Sequence, residues 1–322
     1  MILLNKYLYH FNKCNNGVYM GGEKLVEKLA VTSEVIRHTI DYFNEKGFIQ
    51  LLPVILGKST DPLGPDPNSS ILKTPEVEYN GQKLYTMNSM ILHKQIALKQ
   101  LEKIFILSPN IRLEKAERKS SGRHLFEFTQ LDFEIRDAKS KDVMSLMEDY
   151  LAYLSKSLKS DPKAKEAFEK LGIEIFDFKP PFKVYTSGEL LDKYGEDWET
   201  VVSKSSDQPF WVTDHKREFY EKEDIDKPGH YLNYDLIYPL GFGEALSGGE
   251  REHEYDVITR KMGKDKLDME VYKAYLSEAK GGLYPSAGAG FGIERLTRFL
   301  TKSEHVGDVE LFRRVPGEEI VI

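Results

Sequence analysis

Near its C-terminal end the chain carries Ser286-Ala-Gly-Ala-Gly-Phe-Gly292, in which every residue except Phe291 is small, followed at once by Ile293-Glu-Arg-Leu-Thr-Arg-Phe-Leu300. The first half reads as a strand and the second as a helix. Glycines at 288, 290 and 292 leave the strand without Cβ atoms, so a flat ligand can lie directly on its backbone. Arg295, in the first turn of the helix, is placed to reach over that ligand. The G-x-G-x-G spacing differs from the G-x-G-x-x-G dinucleotide fingerprint and falls at the wrong end of the chain for one. Neither the G-x-x-x-x-G-K-[ST] phosphate loop nor an H-E-x-x-H zinc helix occurs.

Composition narrows the function classes. Lys plus Arg is 45 against 52 Asp plus Glu, a net charge of −7, which supplies no global field for a polyanion but leaves room for a local basic pocket. The single cysteine, Cys14, excludes an internal disulfide and a four-cysteine zinc site, and points to a reducing cytoplasm. The N-terminal apolar run is too short for a signal peptide, and no later stretch approaches the roughly 20 apolar residues of a membrane span. With 322 residues and no repeat or low-complexity linker, the expected organisation is an arm over 1–30 and one catalytic domain over 31–322.

Thr32 and Ser33 offer N-caps to a helix carrying Ile36, Ile40 and Phe43, with Gly47 as its C-terminal stop. Phe48 to Leu52 reads as a strand ended by Pro53, and Thr60 to Ser70, with Pro62, Pro65 and Pro67, as a loop able to act as a lid. Asn80-Gly81 between β-prone residues predicts a hairpin. A helix near Met90–Leu101 leads to a strand at Lys103–Leu107. Two further strands, Ile111–Glu114 and His124–Ile135, then flank the polar loop Ala116–Gly122. Asp142 to Leu158 has the spacing of an amphipathic helix. Strands cluster before and after a helical insertion, which predicts an α+β fold: an antiparallel β-sheet flanked by helices, without alternating βαβ units.

Three segments together carry a resemblance. Gly47-Phe-Ile-Gln-Leu-Leu-Pro53, then Ile111-Arg112-Leu-Glu114 with Arg123-His124-Leu-Phe-Glu127-Phe128, and finally Gly288 to Arg295 resemble, in order and spacing, the three motifs of class II aminoacyl-tRNA synthetases. Asn88-Ser89 with Lys94-Gln95, Glu127-Phe-Thr-Gln130-Leu-Asp132 and Glu244-Ala-Leu-Ser247-Gly-Gly-Glu-Arg251 resemble the aspartyl and asparaginyl branch, and most of all the archaeal asparagine synthetases related to asparaginyl-tRNA synthetase. Singly, each residue has a plainer role: Phe128 in a core, Arg112 and Glu114 as an exposed pair, Lys94 solvated on a helix. Their joint occurrence is what points to an adenylate-forming enzyme.

Making an acyl adenylate brings a carboxylate and a triphosphate together, so positive charge has to be supplied. The resemblance implies ATP and Mg²⁺. It gives Arg112 and Arg295 the catalytic contacts to phosphate, places Glu114, His124, Phe128 and Glu244 on ATP, and makes Asp235, Glu244 and Ser247 the metal's oxygen ligands. Ser89, Lys94, Gln130, Asp132 and Arg251 would hold aspartate, the two cations gripping the carboxylate that does not react. The family's Gln-Ser-Pro-Gln stretch appears here as Asn88-Ser89-Met90-Ile91, which removes an amide used for the amino group. Aspartate turned end for end would present its β-carboxylate to ATP.

The function so implied is an asparagine synthetase: L-aspartate is activated as β-aspartyl adenylate and amidated by ammonia, either free ammonium or the product of a partner glutaminase. The roughly 30 residues before the first motif cannot form the N-terminal barrel of an aspartyl-tRNA synthetase. The alternatives are a truncated paralogue that charges a tRNA or a protein side chain, and an inactive regulatory dimer. By the same resemblance a homodimer is expected.

Overall fold

The glycine-rich run is a central strand, and the sheet assembles around it. A computed structural model describes residues 24–63, 71–215 and 218–320. Most of the expected arm, with Cys14, and the middle of the expected lid, residues 64–70, lie outside the described residues. The chain begins with helix α1 (Leu25–Glu45), strand β1 (Ile49–Gln50), and a small sheet of β2 (Leu56–Gly57), β3 (Glu76–Tyr79) and β4 (Gln82–Thr86). Helix α2 (Ile91–Ala97) precedes the long pair β5 (Lys103–Ile111) and β6 (Glu127–Arg136). Then come α3 (Ser140–Ser160), α4 (Pro162–Leu171), β7 (Lys183–Thr186), α5 (Ser187–Tyr194), α6 (Trp198–Ser205) and β8 (Phe210–Thr213). The last part comprises β9 (Asn233–Tyr238), β10 (Gly243–Glu250), α7 (Tyr255–Lys264), α8 (Lys273–Lys280), β11 (Ser286–Gly292) and α9 (Ile293–Leu300).

The large sheet has the order β1-β5-β6-β11-β10-β9-β8-β7. Its pairings are antiparallel except at the two ends, β1 with β5 and β7 with β8. The architecture is thus the expected antiparallel sheet flanked by helices. On one face α1, α3 and α9 cover a core in which Phe43, buried completely, meets Phe48, Phe105, Phe133 and Tyr150 at ring-centroid distances of 4.9, 5.4, 5.3 and 5.9 Å. Such aromatic edges and tilts add to simple area burial. The other face is left to the cavities described below.

Helix α1 starts at Leu25, before the expected Thr32–Ser33 caps, and so crosses the residue 30/31 division assigned to arm and domain. Thr32 sits inside the helix because its Oγ1 donates back to the Lys28 carbonyl at 3.1 Å, which satisfies the hydroxyl without ending the turn. Strand β5 runs unbroken to Ile111, so the separate strand expected at Ile111–Glu114 is absent and Arg112 is the first residue beyond the ladder. The Asn80-Gly81 hairpin forms as expected, with φ of 50° and 68° at the two turn residues. Strand β10 was not evident from propensity, since Gly243 to Glu250 has three glycines and no β-branched residue; its ladders to β9 and β11 hold it.

The glycines at the centre make room for side chains of neighbouring strands. A Cβ on Gly288 would fall on the Phe133 carbonyl and the Glu134 carboxyl group, and one on Gly248 would lie 2.7 Å from both Ala289 Cβ and the Tyr234 ring. Tyr234 uses that space to donate its hydroxyl to the Gly288 carbonyl at 3.0 Å. Gly288 is therefore a packing position, whereas Gly290 and Gly292 line a cavity. Gly288→Ala is expected to destabilise the protein by about 1–3 kcal/mol through overpacking, measured by denaturant unfolding; unchanged stability would contradict this reading.

Candidate functional site

Two adjoining cavities open on the sheet. The first, about 500 Å³, is lined by Arg112, Glu114, Arg123, His124, Phe128, Glu244 and Arg295 among others, with Gly290 and Gly292 on the β11 side. The second, about 710 Å³, includes Ser89, Lys94, Asp132, Ser247 and Arg251. Arg112, Gln130, Glu244 and Gly290 line both. All the residues expected to bind nucleotide thus share one cavity and all those expected to bind the amino acid share the other, with Arg112 at the junction.

The first cavity sets three arginines, Arg112, Arg123 and Arg295, among three glutamates, Glu114, Glu244 and Glu294, and its side chains are held in place. Arg112 donates its Nε to the Asn88 carbonyl at 3.0 Å, and its guanidinium lies 5.2 Å from the Phe128 ring centroid. Arg295 donates from Nε to the Arg123 carbonyl at 3.1 Å and from an Nη to Glu244 Oε1 at 3.0 Å. Burial pushes the His124 imidazole down to about 3, with the charges of Arg295, Arg123 and Arg118 adding to the shift, so it stays neutral. Glu244 reaches this cavity through a β-bulge: the register with β9 slips between Glu244 and Leu246, so Ala245 is an extra residue. In an unbulged strand of the same length Glu244, three positions from Ser247, would face the other side of the sheet.

In the second cavity Lys94 and Arg251 are only 2% and 4% exposed, and both are already paired. Lys94 Nζ donates to Asp132 Oδ1 at 2.9 Å and to the Ala289 carbonyl at 3.2 Å, with Glu134 Oε2 at 3.6 Å. Arg251 donates to Glu134 Oε1 at 3.0 Å and to the Gly288 carbonyl at 2.9 Å, and also meets Glu221. Buried charges of this kind persist only when matched, and here the sheet supplies counter-charges to both cations expected to grip the carboxylate. Asp132 Oδ2 is buried without a hydrogen bond among the described residues.

Further carboxylates line the same space: Asp61, Glu218 and Glu221. Asp61 accepts from the Leu63 N–H at 2.9 Å and from the Tyr220 hydroxyl at 2.9 Å, and burial raises its pKa above the usual carboxylate range. Asn88, the departure from the family pattern, donates its side-chain amide to the Asp61 carbonyl at 3.0 Å and to Thr74 Oγ1 at 3.1 Å. It is a strut between the Asp61 loop and Arg112. Asp61, Tyr220, Glu221, Glu134 and Arg123 were not singled out from sequence; Asp61 sits in a proline-rich loop and Tyr220 comes from 159 residues away, so only the fold joins them.

The Mg²⁺ ligands expected from the resemblance divide. Glu244 and Ser247 line the second cavity as hard oxygen donors of the kind that cation takes. Asp235 pairs with Ser247 across β9 and β10 but lines neither cavity, and its Oδ2 lies 3.4 Å from His215 Nε2. A separate Glu34–His38–Asp161 group is compact enough for a metal ion, but Arg37 fills it, donating to Glu34 at 2.7 Å and meeting Asp161.

A family profile described as tRNA synthetases class II (D, K and N) matches residues 15–316. An asparagine–tRNA ligase of Pyrococcus abyssi is 31% identical over 259 residues, 75% of this chain and 59% of the relative. One from Thermococcus gammatolerans is 28% identical over 317 residues, 93% of this chain and 71% of the relative. Among solved structures, asparaginyl-tRNA synthetase from Pyrococcus horikoshii complexed with asparaginyl-adenylate superposes with a TM-score of 0.81 at 26% identity, covering 92% of this chain and 70% of that one. The chain thus spans about three fifths of the P. abyssi relative's length. Because His124 is held neutral, its NMR titration is expected to show no midpoint between about pH 5 and pH 8; a midpoint near the ordinary histidine value would contradict its burial beside the arginines.

Proposed function

The chain belongs to the class II tRNA synthetase family of the D, K and N branch, and from that premise we propose that it activates L-aspartate with ATP and amidates it with ammonia, giving L-asparagine, AMP and pyrophosphate. The observation that carries this reading is the ring of carboxylates, Asp61, Asp132, Glu218 and Glu221, around the amino-acid cavity. Asp132 and Glu221 offset Lys94 and Arg251, so Asp61 and Glu218 are the further carboxylates that suit the cavity to a substrate carrying an ammonium group. Aspartate brings an ammonium group, and the second substrate arrives as ammonium. A polyanionic tRNA end would meet the same carboxylates as repulsion.

In this reading aspartate lies turned round. Its α-carboxylate joins Lys94 and Arg251, its amino group reaches Asp132 Oδ2 and Ser89, and its β-carboxylate points to Arg112 and Gln130 at the junction. A β-carboxylate oxygen attacks the α-phosphorus of ATP and pyrophosphate leaves. Arg112 stabilises the charge on the phosphorane-like transition state, while Glu114, His124, Phe128 and Arg295 hold the nucleotide. Mg²⁺ held by Glu244 and Ser247, with Asp235 set behind, would neutralise phosphate charge. Ammonia then attacks the β-acyl carbon and AMP leaves. The nucleophile has to shed a proton from ammonium, and Asp61, buried and hydrogen-bonded by Tyr220, is the group we assign as acceptor. Free ammonium as donor, a homodimer and a cytoplasmic setting complete the proposal.

A second reading is transfer of an activated amino acid to tRNA. The names of the relatives and the asparaginyl-adenylate held by the P. horikoshii neighbour favour it. Incubation with ATP, Mg²⁺, aspartate and ammonium separates the two, with asparagine and AMP as the expected products. Hydroxylamine trapping is expected to give the β-hydroxamate; the α-hydroxamate alone, together with charged tRNA, would overturn the proposal. Asp61→Asn is expected to retain aspartate-dependent pyrophosphate exchange and to lower asparagine formation by about 100-fold. Arg112→Ala is expected to abolish the exchange, and Lys94→Leu to weaken aspartate while sparing ATP affinity; intact aspartate use by Lys94→Leu would refute the cavity assignment.

A further inference from the structure

A third cavity, about 870 Å³, lies between α1, the start of α9 and the segment 309–314. Its walls are mostly carbon, from Leu29 and Ile36 of α1, Pro109, Ile293, Val309 and Phe312. Three carboxylates, Glu127, Glu294 and Glu310, line this apolar space together with Arg314, whose Nε is already engaged 3.7 Å from Glu127 Oε2. Glu294 Oε1 accepts from the Thr129 N–H at 2.8 Å, and Glu310 accepts from the Arg314 main-chain N–H. The other oxygen of Glu310, Oε2, is buried and has no hydrogen bond among the described residues. Glu294 and Phe128 also line the first cavity, so the two spaces share a wall.

We propose that this third cavity is a second ligand site, for a primary ammonium group carried on a hydrocarbon chain, and that Glu294 links its occupancy to the nucleotide cavity. A buried carboxylate oxygen without a donor is costly, and an ammonium N–H supplies a charge-assisted hydrogen bond to it. A hydrated metal ion would exchange its water shell for apolar walls, whereas an alkylammonium sets its N–H groups on Glu310 Oε2 and Glu294 and its chain against Leu29, Ile36 and Phe312. Phe312 is 51% exposed, so the cavity opens to solvent at that end. Burial pushes Glu310 up to about 8, with the charges of Glu294 and Glu127 adding to the shift and Arg314 opposing it. Burial likewise pushes Glu294 up to about 7, against the charge of Arg295, and α1 adds only Leu29, Thr32 and Ile36 to the lining. At neutral pH Glu310 therefore holds a proton, which passes to solvent when the ammonium binds. Binding strengthens as pH rises through this range and weakens as it falls.

The test is calorimetry of the whole protein with hexylammonium and, as its uncharged counterpart, 1-hexanol. Hexylammonium is expected to bind about 10-fold or more tighter than hexanol at about pH 9, where the amine is still charged, and about 10-fold tighter there than at about pH 6. Glu310→Gln should erase both the preference for the cation and the pH dependence while leaving hexanol unchanged. Leu29→Trp should fill the cavity and weaken both probes by about 10-fold. ATP with Mg²⁺ and hexylammonium should change each other's affinity by the same factor, about threefold or more, as linkage requires. Equal affinity for the two probes, or a cation preference that survives Glu310→Gln, would overturn the proposal. So would hexylammonium binding that weakens as protein concentration rises, which would show a second copy of the chain covering the cavity. Absence of the mutual effect would overturn the link through Glu294. The link rests on the proposed nucleotide site, so hexylammonium binding by a protein that does not bind ATP would defeat the proposed function and uphold the ammonium site.

Discussion

Two buried cations and their buried carboxylates, Lys94 with Asp132 and Arg251 with Glu134 and Glu221, fix the middle of the sheet. Four separated parts of the chain meet there: α2, β6, the segment before β9, and the end of β10. Desolvating these charges brings little net stability, but removing one member would strand its partner at a cost of about 3–5 kcal/mol. What the network provides is a single arrangement of the strands. The glycines of β10 and β11 are its precondition, since Glu134 lies where a Gly288 side chain would be, and Glu221 where a Gly249 side chain would be.

The same network explains the division of charge between the cavities. Arginines and glutamates balance on the side closed by α9 and the loop before β6; carboxylates outnumber cations on the side closed by α2 and the segment around Tyr220. Arg112 lines both cavities. Asn88 accepts from Arg112 at its main-chain carbonyl and donates its side-chain amide to the Asp61 carbonyl, so one residue joins the two halves.

How much of this was legible in the sequence follows from what sets each feature. Positions tied to a local pattern were readable: the Asn80-Gly81 turn, the Gly47 helix stop, the small-residue strand and its following helix. Candidate residues inside the three motifs were readable because their spacing along the chain survives folding, and all but Asp235 reach a cavity. Features set by long-range pairing were not. Strand β10 has no propensity of its own, Gly288 looks the same in sequence as Gly290 although one packs and the other lines a cavity, and the partners of Lys94 are 38 and 40 residues away on β6. The start of α1 was hidden for a different reason: a threonine that can cap a helix can equally bond back inside one.

The extra residue in β10 has a consequence for how this site tolerates change. The side of the sheet that Glu244 faces is decided by the bulge, while the chemical identity of Ala245 is nearly irrelevant to it. Replacement at 245 by another compact residue therefore leaves the carboxylate on the cavity side, and so would loss of that position, which would set Glu244 two places from Ser247 in a regular pleat; ironing out the bulge at unchanged chain length is what would turn it into the aromatic interior. In this strand an irregularity of the ladder, and no side chain, decides which way the carboxylate faces.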